Sequence, residues 1–424
     1  VHPVFVDESG ETQIATDLIT LQVDPDMQDA EVQRRIRDDG LRVTRRLSFA
    51  PNTFEVTAAK QIPLIELIAS LQDKPYYRFA EPMLLQSMVG RFKPTDPGYI
   101  NQWQHNNDGS NGGTAHADIQ SEAAWEVTKG RSTDRPMRIA IIDNGMQISH
   151  PDLKSGIVGG GYFQSNGFGS ANFVRFAPGM SGFPNNSHGT FCTGIAGARA
   201  NNRRGGCGAA PEADLLAIAC IPDQVGTQVT LARALAYAID PSHEDAQAAA
   251  SAGADVVSCS LGPNGADWAL TSVLDLAIQF GSTGRGGLGT PIFWAVSNGV
   301  VQLSKDEVSS HAKVIAIGCS TRNDLAEGSA YGPKLDLLAP GADVYSTTSG
   351  SRYGFDTGTS FAAPLTAGVA ALVLAKNPGW TASHVQKHLR ATADKIGGVV
   401  YDAKGHHDEY GYGRLNAARA VSEV

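Results

Sequence analysis

What this chain has little of already narrows its class. Cysteine is scarce: five in 424 residues, an odd number. None of the five stands in a CxxC spacing, so a full disulfide framework is excluded and a zinc site is not expected. Cys192, Cys207, Cys220, Cys259 and Cys319 sit in apolar or Gly-rich settings and read as buried thiols, with room for one disulfide at most. Positive charge is also short. The formal net charge is -9, which offers no electrostatic footprint for nucleic acid. No run of about 18 apolar residues is present, so no membrane span is expected. A basic-then-apolar leader is missing ahead of Val1, so a leader has been removed or none existed. The compartment stays open on this reading, with a secreted or cell-envelope location favoured over a cytoplasmic one.

What is present falls into two segments of different rhythm. Up to about residue 82 the order is β-α-β-β-α-β. "LITLQVDP" alternates like a strand, "DAEVQRRIRDDG" places Val32 and Ile36 four apart, and "RVTRRLSF" and "TFEVTA" read as short strands. "IPLIELIASLQD" is a second helix and "YYRFAEP" a last strand. This is the order of an α+β ferredoxin-like module. A stretch rich in Gly, Asn and Pro follows, and residues 83–113 read as a linker. From Arg138 onward, short apolar runs such as "RIAIID", "DLLAIACI", "PIFWAVSNG" and "KVIAIGCS" alternate with helical ones. That pattern predicts an α/β fold, a doubly wound, mostly parallel sheet covered on both faces. Function in such sheets gathers at the carboxyl ends of the strands.

Four residues at such places carry chemistry. Ser360 stands in "DTGTSFAAPLTAG", at the head of a helix unusually rich in alanine and glycine. It is either a plain N-cap or a nucleophile served by the free amides and positive dipole end of that helix. Asp143 closes the buried strand "RIAIID", where a carboxylate needs a partner. His188 precedes a Gly-Thr step in "NNSHGTFCTGIAGA", and Asn298 ends "FWAVSN". Each has a bland alternative: a turn cap, a structural histidine, an Asn-Gly turn. Together they supply an orienting acid, a base, an amide donor and a nucleophile.

The ordered motifs "IAIIDNGMQISHPDL", "SHGTFCTGIAGA", "VVSCSLGP", "AVSNG", "GTSFAAPLTAGVAALV" and "GYGRLNAARAV" resemble those of the subtilases, the subtilisin-like serine proteases. The match runs from about Asn101 to the C-terminus. The resemblance implies a serine endopeptidase of subtilisin-like fold, with 114–424 as its catalytic domain. Asp143, His188 and Ser360 would form its triad and Asn298 would hold the oxyanion. Protein or peptide substrates would lie along Ser260, Leu261, Gly262, Ala295, Val296 and Ser297. It also implies that residues 1–82 are a propeptide that inhibits the enzyme, with autocleavage in the segment 83–113, between about Met83 and Lys93. Asp152 in "SHPDL" and Asn202 in "ANNRRGG" match positions that hold calcium in the family, so a structural Ca2+ is one expectation and an ion-free turn the other.

Several motifs lean towards the kexin and furin branch, among them "HGTFC" and "SLGP". That branch cuts after basic residues by means of acidic pocket residues. Here the matching positions are Asn144, Asn264 and Gly265, so dibasic specificity is not expected. The alternatives carried forward are a catalytically silent binding protein with this fold and a peptide ligase or esterase using the same site.

Overall fold

A computed structural model of the chain describes residues 4–6, 12–59, 62–85, 92–110, 112–165, 171–221, 227–249, 253–262 and 267–423. The chain divides into two compact units, Val1–Gly90 and Arg91–Val424.

The first unit runs β1 (Val4–Val6), β2 (Thr12–Val23), α1 (Asp29–Asp38), β3 (Leu41–Arg46), β4 (Thr53–Ala58), α2 (Leu64–Gln72) and β5 (Tyr77–Leu85). The β-α-β-β-α-β order is therefore present, with β1 added ahead of it. The strands pair antiparallel in the order β5-β2-β4-β3, and β1 joins the start of β2. Ile19, Leu21 and Val23 alternate along β2 and are buried on one face. Val32 and Ile36 of α1, and Leu67, Ile68 and Leu71 of α2, close over that face in one cluster. The Asp39 carboxylate, at the end of α1, takes the Lys74 ammonium and the Tyr76 and Tyr77 hydroxyls. These bonds tie α1 to the approach to β5.

The second unit runs α3 (Ser121–Val127), β6 (Arg138–Asp143), β7 (Ile157–Ser165), β8 (Ala171–Arg175), α4 (Ser187–Gly197), β9 (Asp214–Ala219), α5 (Gln228–Ile239) and β10 (Val256–Cys259). It continues with α6 (Ser272–Phe280), β11 (Ile292–Ala295), β12 (Val314–Ser320), β13 (Leu337–Pro340), β14 (Val344–Thr348), β15 (Arg352–Asp356), α7 (Thr359–Lys376), α8 (Ala382–Ala391) and α9 (Ala417–Ser422). The main sheet has the order β13-β12-β11-β10-β6-β9-β7-β8, parallel throughout except for β8 at its edge. Ile139 and Ile141 pack with α4 and α7, while Ala140 and Ile142 pack with α5 and α6 on the other face. Both faces are covered, which is why these strands read as unbroken apolar runs.

Every residue of α7 from Thr359 to Ala375 is buried. By length and composition alone this helix could cross a membrane; here it is the core helix of the unit, interrupted by Thr, Ser and Pro. The five cysteines are buried free thiols. The stretch 83–113 differs from a plain linker. Met83, Leu84 and Leu85 belong to β5, and Trp103, Gln104 and His105 are buried within the second unit. Gln102 explains how a polar stretch can be interior: its amide bonds to Cys207 through both the Cys207 carbonyl and N–H. Residues 86–91, inside the expected cleavage window, lie outside the described residues.

Candidate active site

Strand ends and helix starts converge at one end of the parallel sheet, where ligands bind in open α/β folds. Asp143 is the last residue of β6 and is fully buried. His188 is the second residue of α4, whose N-cap, Asn186, accepts the His188 N–H at 2.8 Å. The next residue, Gly189, lets α4 approach this closely: a Cβ there would sit 2.1 Å from the Gly145 carbonyl and 2.9 Å from Asp143 Cβ. His188 Nδ1 consequently lies 2.9 and 3.1 Å from the two Asp143 carboxylate oxygens. The Asn144 N–H also donates to Asp143 Oδ1, at 2.8 Å. The Asp143 side chain is 0% exposed and that of His188 31%, so the buried charge acts on an imidazole whose other edge is open. The Asp143 carboxylate holds the His188 pKa well above its ordinary value, outweighing burial, which acts the other way.

Ser360 is the second residue of α7 and its N–H lies in the first turn, where no helical acceptor exists. Asn298, three residues beyond β11, is held from behind. The Thr359 N–H donates to Asn298 Oδ1 at 3.1 Å, and the Thr359 hydroxyl donates to the Val296 carbonyl at 2.6 Å, beside the same amide. Because the Thr359 N–H needs an acceptor, the amide oxygen faces it and Nδ2 is the outer end of that amide. Cys192 bridges the two halves: its Sγ is 3.9 Å from His188 Nδ1 and donates to the Ser360 carbonyl at 3.3 Å. Asp143, His188 and Cys192 offer ligand atoms within 4.8 Å of one another. Burial pushes the Cys192 thiol up to about 11, so without an ion it is a neutral thiol.

A cleft of about 360 Å³ joins these groups and is lined by His188, Asn298 and Ser360. Of the expected substrate-lining residues, Ser260, Leu261, Gly262, Ala295 and Val296 also line it. Ser297 does not: it is buried, and its carbonyl accepts the Ala330 N–H at 3.0 Å. Asn144, Asn186 and Thr359 line the cleft as well. Asn186 is not among the residues that the sequence singles out, although it stands two residues before His188; Thr359, beside Ser360, offers itself there only as a cap. Asn264 and Gly265 lie outside the described residues.

Asp152 and Asn202 are brought together, away from this cleft. The Asn202 amide donates to Asp152 Oδ1. Asp152 Oδ2 and Asn202 Oδ1 are both buried without a hydrogen-bond partner. Burial pushes the Asp152 carboxyl up to about 6.

Residues 134–413 match the Subtilase family. The chain belongs to the subtilase family. It is a subtilisin-like serine endopeptidase, built on the α/β fold with a mostly parallel sheet and preceded by an antiparallel α+β region. This subtilase is 33% identical over 306 residues to thermitase of Thermoactinomyces vulgaris, a match covering 72% of this chain and 93% of the relative. It is 31% identical over 358 residues to a thermophilic serine proteinase of Bacillus sp., covering 84% of this chain and 75% of the relative. A calcium-dependent protease of Nostoc sp. is 29% identical over 431 residues, covering 90% of this chain and 59% of the relative. Among solved structures, a protease from Pseudoalteromonas arctica superposes with a TM-score of 0.63 at 26% identity, covering 78% of this chain and 99% of that one.

Proposed function

We propose that the subtilase hydrolyses peptide bonds through an acyl-enzyme formed on Ser360, with His188 as base and Asp143 as its orienting acid. The observation that carries this reading is the contact of His188 Nδ1 with the buried Asp143 carboxylate in a cleft that Ser360 also lines. Ser360 Oγ attacks the peptide carbonyl carbon as His188 takes its proton. The resulting oxyanion is met by Asn298 Nδ2 and the Ser360 N–H, which stabilise the charge as it develops. Collapse breaks the C–N bond, and His188 returns the proton to the departing amine. Water then repeats the sequence on the acyl ester and frees Ser360.

Substrate lies along Ser260–Gly262 and Ala295–Val296 as an added strand. None of the described residues lining the cleft is acidic. A cationic side chain would be desolvated there without a counter-charge, at a cost of several kcal/mol, roughly. The preferred side chains are uncharged.

Residues 1–82 act as the inhibitory propeptide, released by autocleavage within 83–113. The support is the resemblance together with a first unit that packs its own core. Asp152 and Asn202, with their two orphaned oxygens, fit an oxygen-seeking cation such as calcium, which would supply charge compensation and cross-linking rather than chemistry.

The test is a fluorophosphonate probe and a casein assay on the full chain. Wild type is expected to label at Ser360, to convert to a species starting between about Met83 and Lys93 and to cleave casein, whereas Ser360→Ala stays full length, unlabelled and inactive. Casein cleavage at the wild-type rate by Ser360→Ala would sink the assignment. An unlabelled wild type would indicate a silent binding protein.

A further inference from the structure

The sequence sets a conflict at the start of α7. In an α-helix the carbonyl of residue i accepts the N–H of residue i+4. For Ser360 that partner is Pro364, which has no N–H and whose ring presses on the same carbonyl. The carbonyl of the proposed nucleophile therefore loses its helical donor in a buried place, since Ser360 is 8% exposed and Pro364 is buried. Two side chains from other elements meet it instead. Ser260, immediately after β10, donates its hydroxyl at 2.8 Å. Cys192 of α4 donates its thiol at 3.3 Å. The hydroxyl bond has the optimum O–H···O length, and the thiol is a weak donor, so Ser260 is the principal replacement.

We propose that Ser260 is a positioning residue: its hydroxyl stands in for the missing amide of residue 364 and pins the first turn of α7 to the end of β10. The inference rests on Ser360 being the nucleophile. The pin fixes Ser360 Oγ and N–H relative to His188 and Asn298, which hang from other elements. It also ties the nucleophile to the chain segment beside which substrate binds, so that one contact sets the register between attacking oxygen and scissile bond. The Ser260 side chain acts on Ser360, and binding is left to the backbone around it.

The experiment measures kcat and KM on a fluorogenic peptide, per titrated active site, for a small set of variants. Ser260→Ala is expected to lower kcat about 10–100-fold, because a misplacement of order 1 Å costs up to about 10², with KM nearly unchanged. Ser260→Thr keeps the hydroxyl and keeps most of kcat. Adding Pro364→Ala to Ser260→Ala restores an N–H at the helical position and recovers most of the loss. A change confined to KM, an equal loss in Ser260→Thr, or no recovery in the double variant each overturns the proposal. Should Ser260→Ala fail to fold, Ser260→Cys, a weaker donor of similar shape, carries the same comparison with a smaller expected loss. Fluorophosphonate labelling of the wild type on a residue other than Ser360 would overturn the nucleophile assignment itself, and so separates the two failures.

Discussion

Asp143 is fully buried, and both of its carboxylate oxygens lie within 3.1 Å of His188 Nδ1. That arrangement does two things to the imidazole. It keeps the proton on Nδ1, which leaves Nε2 as the basic nitrogen, and it favours the charged form. Asp143→Asn keeps the shape and removes the charge. If the amide turns its NH2 towards Nδ1, the proton moves to Nε2 and the base is lost, an effect of about 10⁴-fold in kcat in a comparable triad. The direction of the pH effect follows from the same charge. Asp143 raises the His188 pKa, so its removal lowers that pKa. The base must be neutral to act, and the acid limb of kcat/KM should move to lower pH in Asp143→Asn. Histidine proton NMR on the inactive Ser360→Ala protein, with and without Asp143→Asn, reads the same shift without turnover. An acid limb that stays put or moves upward would show that this carboxylate does not set the state of His188.

The small residues of α7 are explained by what lies against them. A Cβ on Gly368 would stand 2.6 Å from Ala209 Cβ and 3.0 Å from the Ala196 carbonyl. Two effects compete in Gly368→Ala. The helix gains about 1 kcal/mol in propensity, while overpacking a tight core costs about 1–3 kcal/mol. The second wins here because one of the two close atoms belongs to the backbone of α4, which is itself buried against β6. Gly368→Ala should lower the melting temperature, and a raised one would mean that α7 can shift without cost. This element also marks what could and could not be read ahead. The strands β6, β9, β10, β11 and β12 were legible because burial on both faces makes them apolar throughout. The Gly-rich β7 and the hairpin β14–β15, with its half-exposed Tyr345 and Tyr353, carry no such run. Gln104, His105 and Asn107 read as linker because polar composition does not show their partners: Tyr345, 241 residues on, and Ser121 and Asp118, which are nearer but themselves polar residues outside any apolar run. The site candidates were visible for the opposite reason: Asp143 and Asn298 are polar residues at or just beyond the ends of apolar strands, and His188 and Ser360 stand at the heads of small-residue helices, so each needs an explanation within its motif. The role argued for Ser260 was not visible, since Pro364 shows an orphaned carbonyl in the sequence but not the hydroxyl, 100 residues away, that meets it.

At the scale of the whole second unit, the question is what holds its separate chain segments together around Asp152. Asp96 accepts backbone N–H groups from Asn201, Asn202 and Arg203 at 2.6, 2.9 and 2.9 Å. The loop it gathers has left-handed backbone at Asn201 (φ 58°) and Arg203 (φ 65°), an uncommon state for residues other than glycine. Asp152, arriving from beyond β6, meets Asn202 of the same loop, and each keeps one buried oxygen without a donor. The Tyr353 hydroxyl also faces the Asp152 carboxylate, yet among the described residues Asp152 Oδ2 and Asn202 Oδ1 stay without a donor, and a calcium ion would meet both and offset the burial of Asp152. Calcium that binds only the folded state stabilises it by about 2.7 kcal/mol at a hundredfold excess over Kd. For a unit of this size that corresponds to a rise of roughly 4 °C in melting temperature. The expected result is a lower melting temperature in chelator than in millimolar calcium, fully restored when calcium is returned, and not restored by magnesium, which demands a tighter octahedral shell. Asp152→Asn should melt at the same temperature in both solutions, because it removes the formal charge that favours the ion. Equal melting of the wild type with and without calcium would instead leave the pair as a plain buried Asp–Asn contact whose two spare oxygens take water.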